Sequence, residues 1–231
     1  MLTAFSERRC ARPAKNELVV KNVVADESAP KVDDEEMVIV KDIPAFIESI
    51  RGHRLFTLGT VGLFTGMRLG EVLALRWCGV DLDGKVIQVR EALEQTKKYG
   101  IRFKPPKSKA GRRDLTLPDI LVDALREPRG EQMELRLKLG AGKDGLLFAG
   151  LDGEPRAPAS VSRSWSDATA IGYHNLRHTH TSQLIDRDVD IVTISKRLGH
   201  AKPDITLRIY AHLFRKDDSK AAAAINAALN R

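Results

Sequence analysis

Residues 172–214 read GYHNLRHTHTSQLIDRDVDIVTISKRLGHAKPDITLRIYAHLF. This stretch holds five of the chain's six histidines (His174, His178, His180, His200 and His212) together with Tyr210. On a helix, His174 and Arg177 are three residues apart and share one face. Two apolar helical stretches follow, separated at Leu198-Gly199-His200, where glycine is the natural residue past a helix end. Tyr210 lies ten residues beyond His200. An arginine fork, imidazoles and a phenol in one short block are the groups needed to grip and attack a phosphodiester.

Other chemistries fit the same block less well. His174 and His178 have the i, i+4 spacing of a zinc pair, but a metalloprotease pair places glutamate where this chain has Asn175. Arg177, on the same face, would repel a dication, so no metal is expected. No G-x-S-x-G elbow, P-loop or dinucleotide glycine pattern occurs, which argues against a serine hydrolase and an ATP-driven enzyme.

Upstream, MRLGEVLALRW at 67–77 places Leu69, Val72, Leu73 and Leu75 on a buried stripe. Arg68 and Glu71 lie together three residues apart. Arg68 stands at a helix start just after Gly66, where a cation gains nothing from the helix dipole. That placement points to an anion held there. The preceding helix spans the apolar run 55–64 and breaks at Thr65-Gly66; before it, Asp42 caps a helix with Pro44 in its first turn and Phe46, Ile47 and Ile50 on one face.

Strands are expected at 86–89, 101–104 and 115–117. Between the last two lies PPKSKAGRR at 105–113, read as a basic hairpin tip whose prolines and glycine mark the turn. Lys107, Lys109, Arg112 and Arg113 make it a candidate to enter a groove of DNA, against the plainer reading of a solvated face. Residues 119–139 are helical with an interruption expected at Glu127-Pro128, and 161–170 carry Trp165 as a core residue. Ser219–Leu229 is alanine-rich and helical. Residues 1–36 end in an acidic run without periodicity and read as a connector.

The whole chain of 231 residues carries 38 Lys and Arg against 31 Asp and Glu, a net charge of +7 that favours a polyanionic partner. Cys10 and Cys78 are far apart and form no metal knuckle or disulfide framework, which suits a reducing cytosol. No apolar run is long enough to span a membrane, and no signal-peptide pattern occurs.

TGMRLGE, PPKSKAGRR, HNLRH, LGH and Tyr210 stand in an order that resembles the tyrosine recombinases of the phage integrase family, over roughly residues 38–215. The resemblance implies a mainly α fold with a small antiparallel β-sheet (α+β). It makes 37–231 a catalytic domain with a helical C-terminal tail, and 1–36 a linker and remnant of a core-binding domain. It implies site-specific recombination of double-stranded DNA through a 3′-phosphotyrosyl link, without metal, nucleotide or other cofactor, in a bacterial cytoplasm at the nucleoid. Arg68 and Arg177 would bind the scissile phosphate, Tyr210 would attack it, and His174 would act as base. His200 would hold the phosphate, Lys107 would protonate the leaving 5′ oxygen, and Glu71 would orient the cluster. Lys109, Arg112 and Arg113 would bind DNA, and the tail would join protomers into a tetramer. His178, His180 and His212 are expected to be structural. The connection 165–173 is shorter than is usual in relatives, which is expected to shift His174 and Arg177 relative to Arg68. Two alternatives stay open: a DNA-binding fragment without recombination, and a topoisomerase-like enzyme using the same chemistry.

Overall fold

Asp42 caps the first helix, its carboxylate accepting from the Ala45 N–H at 2.9 Å, with Pro44 in the first turn. The computed structural model describes residues 37–106, 108–138, 145–150, 152–214 and 219–229; the expectations for 1–36 and for Lys107 lie outside them. The helices are α1 (Ile43–Ile50), α2 (Phe56–Thr65), α3 (Leu69–Leu73), α4 (Asp119–Lys138), α5 (Pro158–Thr169), α6 (His174–Asp186), α7 (Ile191–Leu198), α8 (Pro203–Tyr210) and α9 (Ser219–Leu229). The strands are β1 (Val80–Asp81), β2 (Val86–Val89), β3 (Ala92–Thr96), β4 (Gly100–Lys104) and β5 (Arg113–Thr116). The fold is mainly helical with small antiparallel sheets, as the sequence implies. Among the described residues, no helix is long and apolar enough to cross a membrane.

The α2 helix is apolar on all sides because it runs through the core, with Leu58, Val61 and Leu63 buried. Its glycines let bulky neighbours close in: a Cβ on Gly59 would stand 2.5 Å from the Trp165 ring, and one on Gly62 would stand 2.4 Å from the Tyr173 hydroxyl. Trp165 is buried between Phe46 and Tyr173, meeting both rings edge-on. Tyr173 donates to the Leu58 carbonyl and so ties the start of α6 to α2. Tyr173 and Leu176, at the start of α6, are both buried in the core.

Strand pairing departs from the sequence reading. β2 is the centre of a three-stranded sheet, with β1 on one side and β5 on the other; Ile87 stands opposite Val80 and Leu115. β4 pairs with β3 instead of β5, in a separate hairpin turning at 97–99 before Gly100. Residues 105–113 thus cross from one sheet to the other and are not the tip of a hairpin. Lys109 lies in a one-turn 3₁₀ helix, Lys109–Gly111. The β3–β4 hairpin is held by Glu94, which takes ion pairs from Arg102 and Lys104 across the strands.

The second departure is α4, which runs without a break through Pro128. One proline removes a single amide donor. The helix is anchored on both sides of it, by buried Leu121, Val122 and Leu125 before and by Gln132 after. The Gln132 amide accepts from the Trp77 indole N–H at 2.8 Å and donates to the Leu147 carbonyl at 2.9 Å.

Candidate active site

The site forms where the ends of α2 and α7 meet the start of α6. Each of those two ends is a glycine in the left-handed region, Gly66 at φ 65° and Gly199 at φ 69°. Both are also pinched: a Cβ on Gly66 would lie 2.7 Å from the His180 ring, and one on Gly199 would lie 2.7 Å from the Arg113 guanidinium. The glycines of TGMR and LGH therefore do two things. They turn the chain, and they let two helix ends approach a third helix.

Arg177 reads both ends at once. Its Nη1 donates to the Gly66 carbonyl at 2.6 Å, and its Nη2 donates to the Leu198 carbonyl at 2.8 Å. The same Nη2 reaches His200 Nε2 at 2.8 Å. A guanidinium has no acceptor, so Nε2 accepts and Nδ1 keeps the proton, donating to Thr206 Oγ1 at 2.8 Å. Burial and the nearby Arg68 charge pull Arg177 down to about 9, which leaves it charged at neutral pH. His200 is pushed down to about 4 by burial, then by Arg177, Arg68 and Arg113.

Arg68 caps α3 and keeps its guanidinium partly in solvent, 46% exposed. Glu71, buried beneath it, accepts from the Arg68 backbone N–H at 3.0 Å and from Arg68 Nη1 at 3.2 Å. Its carboxylate also takes a two-pronged hydrogen bond from Arg113, at 3.2 and 2.9 Å. Arg113 turns inward rather than toward DNA: its side chain is 6% exposed and its Nε donates to the Arg197 carbonyl. The expectation that Arg113 contacts DNA is corrected on that ground. β-strand alternation explains it, because Arg113 and Leu115 face inward while Asp114 and Thr116 face out. Lys109 and Arg112 are exposed. A cavity of about 380 Å³ opens beside Arg68 and Glu71, with Lys104, Pro106, Ser108 and Gly199 in its wall.

Tyr210 is 1% exposed, and burial raises its phenol above the ordinary value while Thr181 and the Arg177 charge act the other way. Its hydroxyl lies 2.7 Å from Nδ1 of His178, the residue expected to be structural. His174 is exposed and meets the His178 ring edge-on, with centroids 4.7 Å apart. It feels the Arg177 and Arg68 charges, which, after burial, hold it below the ordinary imidazole range. His180 is the structural histidine: it is buried, pushed down to about 3, and bridges the Leu63 carbonyl and Arg197 Nε. His212 is exposed. Arg68, Glu71, His174, Arg177, His200 and Tyr210 are thus brought to one place, and His178 joins them. The i, i+4 spacing of His174 and His178 was the available signal.

The phage integrase family model matches residues 40–217. A tyrosine recombinase XerC-like protein of Caldanaerobacter subterraneus is 28% identical over 234 residues, covering 92% of this chain and 60% of that protein. The ICEBs1 integrase of Bacillus subtilis is 31% identical over 184 residues, covering 75% of this chain and 50% of its own length. The chain thus spans only about half to 60% of these curated relatives. Among solved structures, the Tn1549 transposon integrase in complex with a circular intermediate DNA superposes with a TM-score of 0.71 at 16% identity, over 96% of this chain and 76% of that one. XerA recombinase gives 0.59 at 22% identity, over 97% and 82%. These two likenesses bear on the fold. With a family model matched over most of its length, the chain belongs to the phage integrase family.

Proposed function

We propose that this chain is the catalytic part of a tyrosine-type site-specific recombinase, which cuts and rejoins double-stranded DNA through a 3′-phosphotyrosyl intermediate. The observation that carries the reading is the meeting of Arg177, His200 and Arg68 with Tyr210, residues drawn from four separate segments. Planar guanidinium groups at Arg68 and Arg177 match the charge that grows on phosphorus oxygens during attack. Tyr210 supplies the nucleophile, His200 fixes the Arg177 guanidinium by accepting from it, and Glu71 holds Arg68 and Arg113 in place. His174, the family's base, stands at the exposed edge where a phosphate would enter. Lys107 is assigned the leaving 5′ oxygen; its neighbours Pro106 and Ser108 line the cavity beside Arg68. Phosphodiester energy is kept in the tyrosyl ester, so the reaction scheme calls for no metal, nucleotide or other cofactor.

Lys109 and Arg112 add exposed charge for the DNA backbone. Self-association on DNA is assigned to α9, whose Ile225 and Leu229 are 61% and 77% exposed. A groove lined by Ile43, Ile47, Leu63, Phe64 and Ile120 offers an apolar seat of about 1150 Å³ for the α9 of a second copy. The same reading puts the chain at the bacterial nucleoid, where its DNA substrate would be. The Tn1549 integrase was solved with circular intermediate DNA, and λ integrase as a tetramer on a Holliday junction, which supports both assignments.

The test is capture. The chain is incubated with nicked duplexes of randomised sequence, denatured in SDS, and the DNA that stays attached is sequenced. A recurring site enriched by the wild-type chain and not by Tyr210→Phe supports the reading. DNA bound before denaturation but never attached would favour the alternative, a DNA-binding fragment without turnover.

A further inference from the structure

We infer that His178, rather than His174, takes the phenolic proton of Tyr210 as the tyrosyl–phosphorus bond forms and gives it back on religation. The inference rests on the strand-cleavage reading above. The Tyr210 hydroxyl and His178 Nδ1 are 2.7 Å apart, and the two rings pack at 5.6 Å between centroids. The hydrogen bond is within the range required of a general base and its acid. Two of the other imidazoles nearby are already committed. His200 accepts from Arg177 and donates to Thr206, while His180 is spent between Leu63 and Arg197. His174 meets the His178 ring edge-on, with centroids 4.7 Å apart.

The step balances without a further reactant. The Tyr210 oxygen bonds to phosphorus as the P–O5′ bond breaks. The hydroxyl proton moves to Nδ1, giving an imidazolium protonated on both nitrogens, and the departing 5′ oxygen takes its proton from the general acid. Religation runs the same transfers backward. The groups facing His178 are His174 and Arg177 from its own helix and Tyr210 from α8; His212, in the turn after α8, is exposed. Burial, then His174 and Arg177, push His178 down to about 4, so it is neutral near pH 7 and its Nδ1 lone pair can accept from the Tyr210 hydroxyl. Such an imidazole is a weak base. Transfer is driven by the fall in basicity of the tyrosyl oxygen once it shares electrons with phosphorus.

The test uses the full chain in two arms. In the first, the duplex enriched by capture is cleaved in single turnover by wild type, His178→Ala, His178→Asn and His174→Ala across pH 6–10. Asparagine keeps an acceptor oxygen near the Nδ1 position but holds no proton. Both His178 variants are expected to slow adduct formation by roughly 10²–10⁴. Their deficit should shrink as pH rises toward ionisation of the phenol, and added imidazole should restore part of the His178→Ala rate. His178→Asn at the wild-type rate, or a deficit that ignores pH and imidazole, overturns the inference while leaving the tyrosine reading intact. Absence of any wild-type adduct overturns both. In the second arm, ¹⁵N spectra of the DNA-free chain report the imidazole tautomer directly. A His178 signal with Nε2 protonated and Nδ1 accepting, which changes in Tyr210→Phe, is expected. A proton resident on Nδ1 overturns the inference even if the His178 variants do not fold.

Discussion

Replacing Glu71 with glutamine keeps the shape of the side chain and removes its charge. In the fold, Glu71 and Arg113 are 4% and 6% exposed, so neither charge has water as an alternative partner. The carboxylate accepts two bonds from Arg113, one from the Arg68 backbone and one from the Arg68 guanidinium. Breaking a buried pair from one side leaves the other charge uncompensated, at a cost of about 3–5 kcal/mol. For a domain of this size, each kcal/mol moves the melting temperature by about 2–4 °C, so Glu71→Gln should melt roughly 6–20 °C lower. Burial alone would raise the Glu71 carboxyl; the Arg113 hydrogen bond and charge, then the Arg68 N–H and charge, outweigh it and hold the carboxyl below its ordinary value. Its contribution is therefore complete above the ordinary carboxylate range and is lost as pH falls through the lower folded value. Thermal and denaturant melts of the DNA-free chain at pH 7, then stepwise into acid, measure both effects. The gap between wild type and variant should close only at the acid end. A Glu71→Met, Arg113→Met double variant, which leaves no charge stranded, should recover much of the loss. A single variant within about 1 kcal/mol of wild type, a gap indifferent to acid, or a double no better than the single would refute the reasoning.

His178 and His200 are pushed down to about 4 and His180 to about 3. The unfolded chain binds these protons first, so stability should fall as pH drops from about 6.5 toward 4, with proton uptake on unfolding approaching three. Denaturant titrations at pH 7, 5.5 and 4.5 check this, and a flat profile contradicts it. Gly199→Ala meets both an unfavourable φ of 69° and Arg113 Nη1 at 2.7 Å. It should cost roughly 1–3 kcal/mol in melts and lower the cleavage rate through His200, whereas a neutral result would mean the α7 end is free to shift. Lys107→Ala should cleave ordinary DNA poorly and a 5′-phosphorothiolate duplex well, because sulphur leaves without an acid. Lys109→Ala should be mildly affected on both substrates, and the reverse pattern would move the assignment to Lys109.

Local signals were legible wherever a single residue type has one job. Asp42, Gly66 and Gly199 mark their helix ends as read, and Trp165 is in the core. Pairing was not legible, because strand partners are chosen by tertiary contact. The β3 sequence, Ala-Leu-Glu-Gln-Thr, lacks a β-branched, alternating pattern, and it is a strand through pairing with β4, with Leu93 buried and Glu94 reaching across to Arg102 and Lys104. Once β4 takes β3, the basic stretch 105–113 can no longer be a hairpin tip. The inward turn of Arg113 escaped notice for a related reason: a charge run reads as solvated until a buried carboxylate, here Glu71 more than forty residues earlier, claims one member. Pro128 does not break α4, since anchors on either side outweigh one missing donor. At the site, motif order singles out the arginines, His174, His200 and Tyr210 as candidates, but the Tyr210–His178 contact joins residues 32 apart in sequence and depends on how α8 packs on α6.

Attack on DNA by Tyr210 leaves a covalent mark that can be read directly. The SDS-resistant adduct formed on the captured duplex is digested with trypsin and nuclease, and the peptide bearing the residual nucleotide is sequenced by mass spectrometry. The peptide containing Tyr210 should carry a nucleotide joined through its 3′ phosphate, with the freed strand ending in a 5′ hydroxyl. Attachment at Tyr99, Tyr173 or a serine, attachment through a 5′ phosphate, or an adduct undiminished in Tyr210→Phe would contradict the account.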